Sequence, residues 1–199
     1  MSSAPSRVGS IWPRLSALVR RAPQRGIGVK LYEAIVAQAR SEPFYRLHGV
    51  PDTVHGRFEM IVLHVALVLA RLELEGAEGQ AAGRAMLEAF VADMDDACRR
   101  LGIGDMGVPR QVKKATAAVL ERGNAYRAAM ANGDGDALAT VLAAEILSDA
   151  TAHETGEATG AGALADYVRR AITSLEGQVG AELVAGTISF PAAVAPEGT

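Results

Sequence analysis

The chain has 199 residues, 49% of them hydrophobic and 5% aromatic, with a formal net charge of −3. That length suits one domain with tails, the apolar content fills a sizeable core, and so few aromatics beside abundant Ala and Leu speak against a β-rich fold. A single cysteine, Cys98, excludes an internal disulfide and fits a reducing compartment, and no apolar run reaches the ~18 residues of a membrane span.

Residues 1–30 hold Arg7, Arg14, Arg20, Arg21, Arg25 and Lys30 and no acid, which leaves 14 basic against 23 acidic residues, a net of −9, for the remainder. A basic arm suits an anionic surface such as a membrane. The acidic body is a poor platform for a polyphosphate, so no direct nucleic-acid partner is expected. Residues 1–28, with Pro5, Pro13 and Pro23, read as a flexible basic arm. Within it Trp12, Arg14, Leu15, Leu18, Arg20 and Arg21 are membrane-contact candidates. A short helix there places Leu15, Leu18 and Val19 on one face and Arg14 and Arg21 off it. The same segment also suits a disordered tail, or a transit peptide in type.

The spacing predicts a helical domain over 29–176. A first helix over Val29–Ser41 ends before Pro43, which biases Glu42 away from helical angles. Phe44 to Pro51 reads as a loop, and Asp52 or Thr53 caps a long second helix reaching Glu75. This second helix is apolar nearly all round, as a central buried helix is. Arg57, His64 and Arg71 are seven apart and drift only about 20° per step, so they line one edge. Glu59 lies about 200° away with Asp52 and Glu73 on its line. Two polar edges and two apolar flanks describe a helix sandwiched between neighbours.

Gly76 to Gly83 reads as a turn. A third helix follows to Leu101, with Leu87, Val91, Met94, Cys98 and Leu101 at 4-3-4-3 spacing. Gly102, Gly104 and Gly107 make a loop free to take unusual angles, and Pro109 opens a fourth helix to Asn132. Its stripe is Val112, Ala115, Val119, Tyr126 and Met130. After the Asn132-Gly133-Asp134-Gly135 stop, a fifth helix spans Asp136–Ala150, and 151–162 read as a mobile loop. Leu164, Tyr167, Val168, Ala171, Ile172 and Leu175 stripe a sixth helix. The tail, 177–199, carries an apolar patch at Leu183-Val184 and Ile188–Phe190, to dock as an extended strand or stay loose. The fold class is therefore all-α, a single-domain bundle of about six helices with a flexible basic N-terminal arm and an irregular C-terminal tail.

Asp93, Asp95 and Asp96 crowd one stretch. They suit a metal or acid-pair site less well than a solvated face, because Asp95–Arg99 and Asp96–Arg100 are i,i+4 pairs with the acid first and no HxxE or ExxH completes a metal set. None of His48, His55, His64 and His153 has a ligand partner at recognised spacing, so His64 reads as a core residue rather than a metal or haem ligand. Gly102-Ile103-Gly104 lacks the continuation of a phosphate loop, though Arg110, Lys113 and Lys114 just beyond it can hold an anion or an acidic partner. No GxSxG or CxxC is present. The expectation is a binder and not an enzyme, with no catalytic residue, metal or cofactor.

Two blocks in order carry a family resemblance. One is Leu31-Tyr32-Glu33-Ala34-Ile35-Val36, Phe44-Tyr45, then Gly49-Val50-Pro51-Asp52-Thr53 and Gly56-Arg57-Phe58-Glu59-Met60 with Leu63-His64. The other is Phe90-Val91-Ala92-Asp93-Met94-Asp95, then Gly102-Ile103-Gly104-Asp105 and Val108 with Val112-Lys113-Lys114. Over roughly 29–147 the chain resembles the ubiquinol–cytochrome c chaperone family, the assembly factors of respiratory complex III. The resemblance implies an all-helical protein that binds and stabilises newly made cytochrome b, or another complex III subunit, before it joins the complex. It implies a small helical partner protein and, in mitochondria, a place near the ribosome exit on the matrix side of the inner membrane. The Ala-, Gly- and Arg-rich composition points to a bacterial chain, hence to the cytoplasm or the inner-membrane surface. The charged positions that match the family, and so the partner-binding candidates, are Asp52, Arg57, Glu59, His64, Arg71, Asp93, Asp95, Asp105, Lys113 and Lys114.

Two other readings remain open. A membrane-peripheral protein binding a lipid or small molecule predicts an enclosed apolar cavity of ~300 Å³ or more beside the second helix. A hydrolase predicts His64 and the Asp93–Asp96 group within hydrogen-bond reach in one cleft.

Overall fold

The computed structural model describes residues 12–131, 135–148 and 157–193. Among these all regular structure is helical, without a strand. At the centre lies α3 (Val54–Glu73), in which every residue from Met60 to Val68 is buried. Such a run has no solvent face, so the helix needs neighbours on all sides, and it packs against α1, α4, α5, α7 and the turn that follows α6. Each buried Leu, Ile, Val or Met contributes about 1.5–3 kcal/mol relative to exposure. Thr53 supplies the cap, its Oγ1 accepting the Gly56 N–H at 3.1 Å.

Around α3 stand α1 (Trp12–Ala39), α2 (Glu42–Arg46), α4 (Gly76–Arg100), α5 (Val108–Ala131), α6 (Gly135–Leu142) with a π-helical turn over Ala143–Leu147, α7 (Glu157–Glu176) and α8 (Gly180–Val184). Several bounds differ from the sequence expectation. Helix α1 begins at Trp12 rather than Val29, so the backbone of the expected arm is helical from there on. The side chains of Trp12, Arg14, Leu15, Leu18, Arg20 and Arg21, and all of residues 1–11, lie outside the described residues. Pro43 starts the short helix α2 inside the expected loop, since proline suits a first turn as well as it ends a helix.

Gly76 to Gly83 is not a loop but the first turns of α4. A methyl at Gly79 would collide with the Leu72 carbonyl, so these glycines let α4 fold back tightly on α3. Gly28 plays the same part at the crossing of α1 and α4, where a methyl would strike the Ala85 backbone. Residues 157–162, expected in a loop, belong to α7. The tail docks on the bundle, first as the short helix α8, with Leu183 buried, and then as an extended segment without strand pairing. Gln178 exchanges two hydrogen bonds with the Ser189 backbone (2.8 and 3.0 Å), Gln38 donates to the Pro191 carbonyl at 3.0 Å, and the Phe190 ring meets His64 edge-on at 5.2 Å.

Candidate functional site

The two polar edges of α3 turn to different neighbours. On one, Glu59 and Glu73 meet α5. The Glu59 carboxylate, 1% exposed, accepts from Arg122 at 3.3 and 3.4 Å, and Glu73 accepts from Arg127 at 3.1 Å. Arg122 also pairs with Glu145 of the π-helical turn at 2.7 Å, so one guanidinium ties three elements together. Burial raises the Glu59 pKa, and Arg122 pulls the other way. The Tyr126 hydroxyl, buried close to this network, has no hydrogen-bond partner among the described residues, and burial pushes its ionisation upward.

On the other edge His64 and Arg71 face α7 and the tail. His64 is fully buried; Nδ1 lies 2.7 Å from the Met60 carbonyl and Nε2 2.7 Å from the Tyr167 hydroxyl. A carbonyl can only accept, so in neutral His64 Nδ1 carries the proton and Nε2 accepts from Tyr167. Gln38 donates in turn to Tyr167 at 3.0 Å. Burial lowers the His64 pKa to about 4. Arg71 donates to the carbonyls of Leu175 (2.8 Å) and Gln178 (3.1 Å) and pairs with Glu75 at 2.5 Å, so it caps the end of α7. His64 is fully enclosed and Arg71 9% exposed, so both are held mainly by contacts within the chain. Arg57, from the same sequence line, is exposed instead; it pairs with Asp52 at 2.5 Å and covers the Tyr45 ring at 5.6 Å.

A groove of about 700 Å³ opens between the first turns of α3, the end of α4 and the first half of α5. Phe58, Ile61, Met94, Leu101, Ile103 and Ala115 are among its apolar lining, and Arg57, Glu59, Asp93 and Lys114 among its charged lining. Four sequence-predicted residues therefore share one site, and Asp52 joins them through Arg57. Ile103 is placed by the glycine loop. Gly102 takes φ 76°, its N–H reaching the Arg99 carbonyl and the Ile103 N–H the Cys98 carbonyl, both at 3.0 Å, which is a Schellman ending. Leu101 and Val54, at 63% and 69% exposure, leave apolar surface on the rim.

The remaining candidates sit outside the groove. Asp95 and Asp105 both pair with Arg99 at 2.7 Å on exposed surface, and Lys113 is exposed. The expected Asp96–Arg100 pair does not form, because Arg100 reaches Asp93 at 3.5 Å, where the Tyr32 hydroxyl also donates at 2.8 Å. His64 is not in the groove with Asp93, so the constellation a hydrolase needs is not assembled. Nor is the space beside α3 an enclosed apolar cavity; it is open and rimmed with charge. The residues missed from sequence are Arg122, Glu145 and Tyr167. Arg122 has a signal, since it fills the gap between Val119 and Tyr126 in the buried stripe of α5.

A family model described as Ubiquinol-cytochrome C chaperone matches residues 46–190. The chain belongs to this family. Membership assigns it to the assembly of respiratory complex III. The match leaves out the first motif stretches, Leu31 to Val36 and Phe44-Tyr45, and runs past residue 147 through the docked tail, so it takes in α3 to α8 and all of the groove lining except Arg40. Among solved structures, the crystal structure of the Cbp3 homolog from Brucella abortus is similar at 35% identity and a TM-score of 0.76, over 90% of this chain and 97% of that one. No curated protein matches the chain. Among the described residues no helix is long and apolar enough to cross a membrane.

Proposed function

We propose that the chain is a non-catalytic assembly chaperone of ubiquinol–cytochrome c reductase that binds newly made cytochrome b in the groove between α3, α4 and α5. The observation that carries this reading is the groove itself, an open apolar floor with a charged rim in a chain of this family. Such a surface can hold a hydrophobic segment reversibly, because its rim stays wetted and its apolar area is exposed before the client arrives. Asp52, Arg57, Asp93 and Lys114 are its partner contacts, with Asp95, Asp105 and Lys113 on neighbouring surface and Glu59 beneath the groove, where it holds Arg122 in place. A small helical partner protein and a peripheral contact of residues 12–21 with an anionic inner-membrane surface belong to the same reading.

Photo-crosslinking tests it. A photoreactive side chain at Leu101 or Glu121 is expected to capture cytochrome b in cells, and one at the exposed Asp166 on α7 is not. Capture at Asp166 alone would place the client elsewhere.

A further inference from the structure

Most charges around the groove are already committed within the chain: Arg57 to Asp52, Glu59 to Arg122, and Asp93 to Tyr32 and Arg100. Two on α5 are not. Lys114 is exposed and has no acid within ion-pair distance among the described residues. Glu121, 71% exposed, has only its chain neighbour Arg122 at 4.0 Å. The two stand seven residues apart on one face of α5, two turns or about 10.5 Å along the axis. Between them the wall is Ala115, Ala117 and Ala118, small enough for a close approach of another backbone. The groove thus offers an apolar trough with Lys114, unpaired among the described residues, towards one end and the exposed Glu121, held only loosely by Arg122, towards the other.

We propose that the groove takes an amphipathic α-helix of the client, laid along α5, with an acidic side chain over Lys114 and a basic side chain seven residues from it over Glu121. This rests on the groove being the client site. A helix is favoured over an extended peptide because no sheet edge is present among the described residues to be extended, and because side chains at i, i+3, i+4 and i+7 match the spacing of this wall. The charges decide its polarity. A wholly apolar helix would cover Lys114 and Glu121 and strip their water with nothing in return, whereas a helix with opposite charges two turns apart satisfies both.

The test uses the full chain and four fluorescent peptides of one alanine- and leucine-rich helix. They carry Glu and Lys, Glu and Glu, Lys and Lys, or Gln and Gln at positions i and i+7, and binding is read by anisotropy. On the wild type the Glu/Lys peptide is expected to bind tightest, with each matched pair worth about 1.5- to 5-fold and the advantage shrinking as salt rises. Lys114→Glu should move the preference to the Lys/Lys peptide and Glu121→Lys to the Glu/Glu peptide. Both sites are exposed, and unchanged melting curves confirm that the variants fold. Equal binding of all four peptides, no binding, or a ranking that neither variant moves overturns the inference. If complex III is lost in a deletion strain while the ranking stays flat, this inference fails and the chaperone reading stands. A reciprocal ranking beside normal complex III in that strain upholds the helix site and overturns the chaperone reading.

Discussion

Protonating His64 should loosen the whole bundle. Its two nitrogens are used as one donor, to the Met60 carbonyl, and one acceptor, from Tyr167, an arrangement that only the neutral ring can satisfy. Burial holds its pKa at about 4, against 6.5 in the unfolded chain. Between those values the unfolded state binds the proton and the folded state does not, so stability rises with pH across the window. The contribution is fully present above pH 6.5 and is lost as pH falls towards 4. At roughly 1.36 kcal/mol per pH unit the loss is about 3 kcal/mol, a large share of a typical 5–15 kcal/mol. Urea unfolding at a series of pH values from 4 to 7.5, on the wild type and on His64→Phe, measures it. The replacement ring keeps contact with Phe44, Tyr167 and Phe190, which surround His64 edge-on or tilted. The variant should be less stable at pH 7 yet lose about 3 kcal/mol less on acidification. Parallel pH profiles for the two proteins would refute this role for His64.

Arg122→Ala leaves the buried Glu59 carboxylate without its cation and frees Glu145, and should lower unfolding free energy by about 3 kcal/mol in urea titrations, with Glu59→Gln in the same background recovering part of it. Gly28→Ala forces α1 off the Ala85 backbone of α4 and should cost about 1–3 kcal/mol by thermal or chemical melting, while alanine at Gly26, which has open space, should not. Full-length chain should sediment with anionic vesicles and do so less as salt rises, and charge-neutral replacements at Arg14, Arg20 and Arg21 should abolish that binding.

Much of this architecture is legible in the residues because α3 carries it. An apolar run with charges at two angular positions can only be a helix packed on both sides, and the 7-residue spacing of His64 and Arg71 places both on the α7 side. Asp95 and Arg99 pair as their i,i+4 order implies. Sequence logic fails where glycine and proline have two uses. Gly76, Gly79 and Gly83 read as a turn, and Gly76 does take the left-handed φ of 62° that a turn uses, yet Gly79 and Gly83 serve a tight helix crossing, and Pro23 sits within a helix where composition suggests an arm. It also fails for pairings set by tertiary approach. Arg100 turns to Asp93 rather than Asp96, and Arg122 reaches Glu59 across 63 residues, which no local spacing encodes. The groove shares this limit. Arg57, Glu59, Asp93 and Lys114 are candidates one by one in the sequence, but their convergence depends on how the start of α3, the end of α4 and the start of α5 meet.

Whether this chain brings complex III together by holding its client in that groove is tested most directly in a deletion strain. Assembled complex III is measured on native gels with the gene absent, restored as wild type, or restored as Leu101→Glu with Ile103→Glu, two groove-lining positions. Complex III is predicted to fall in the deletion, to return with the wild type, and to stay low with the groove variant although that variant accumulates and melts normally. Normal complex III in a clean deletion, or full restoration by the groove variant, would contradict a chaperone that works through this groove.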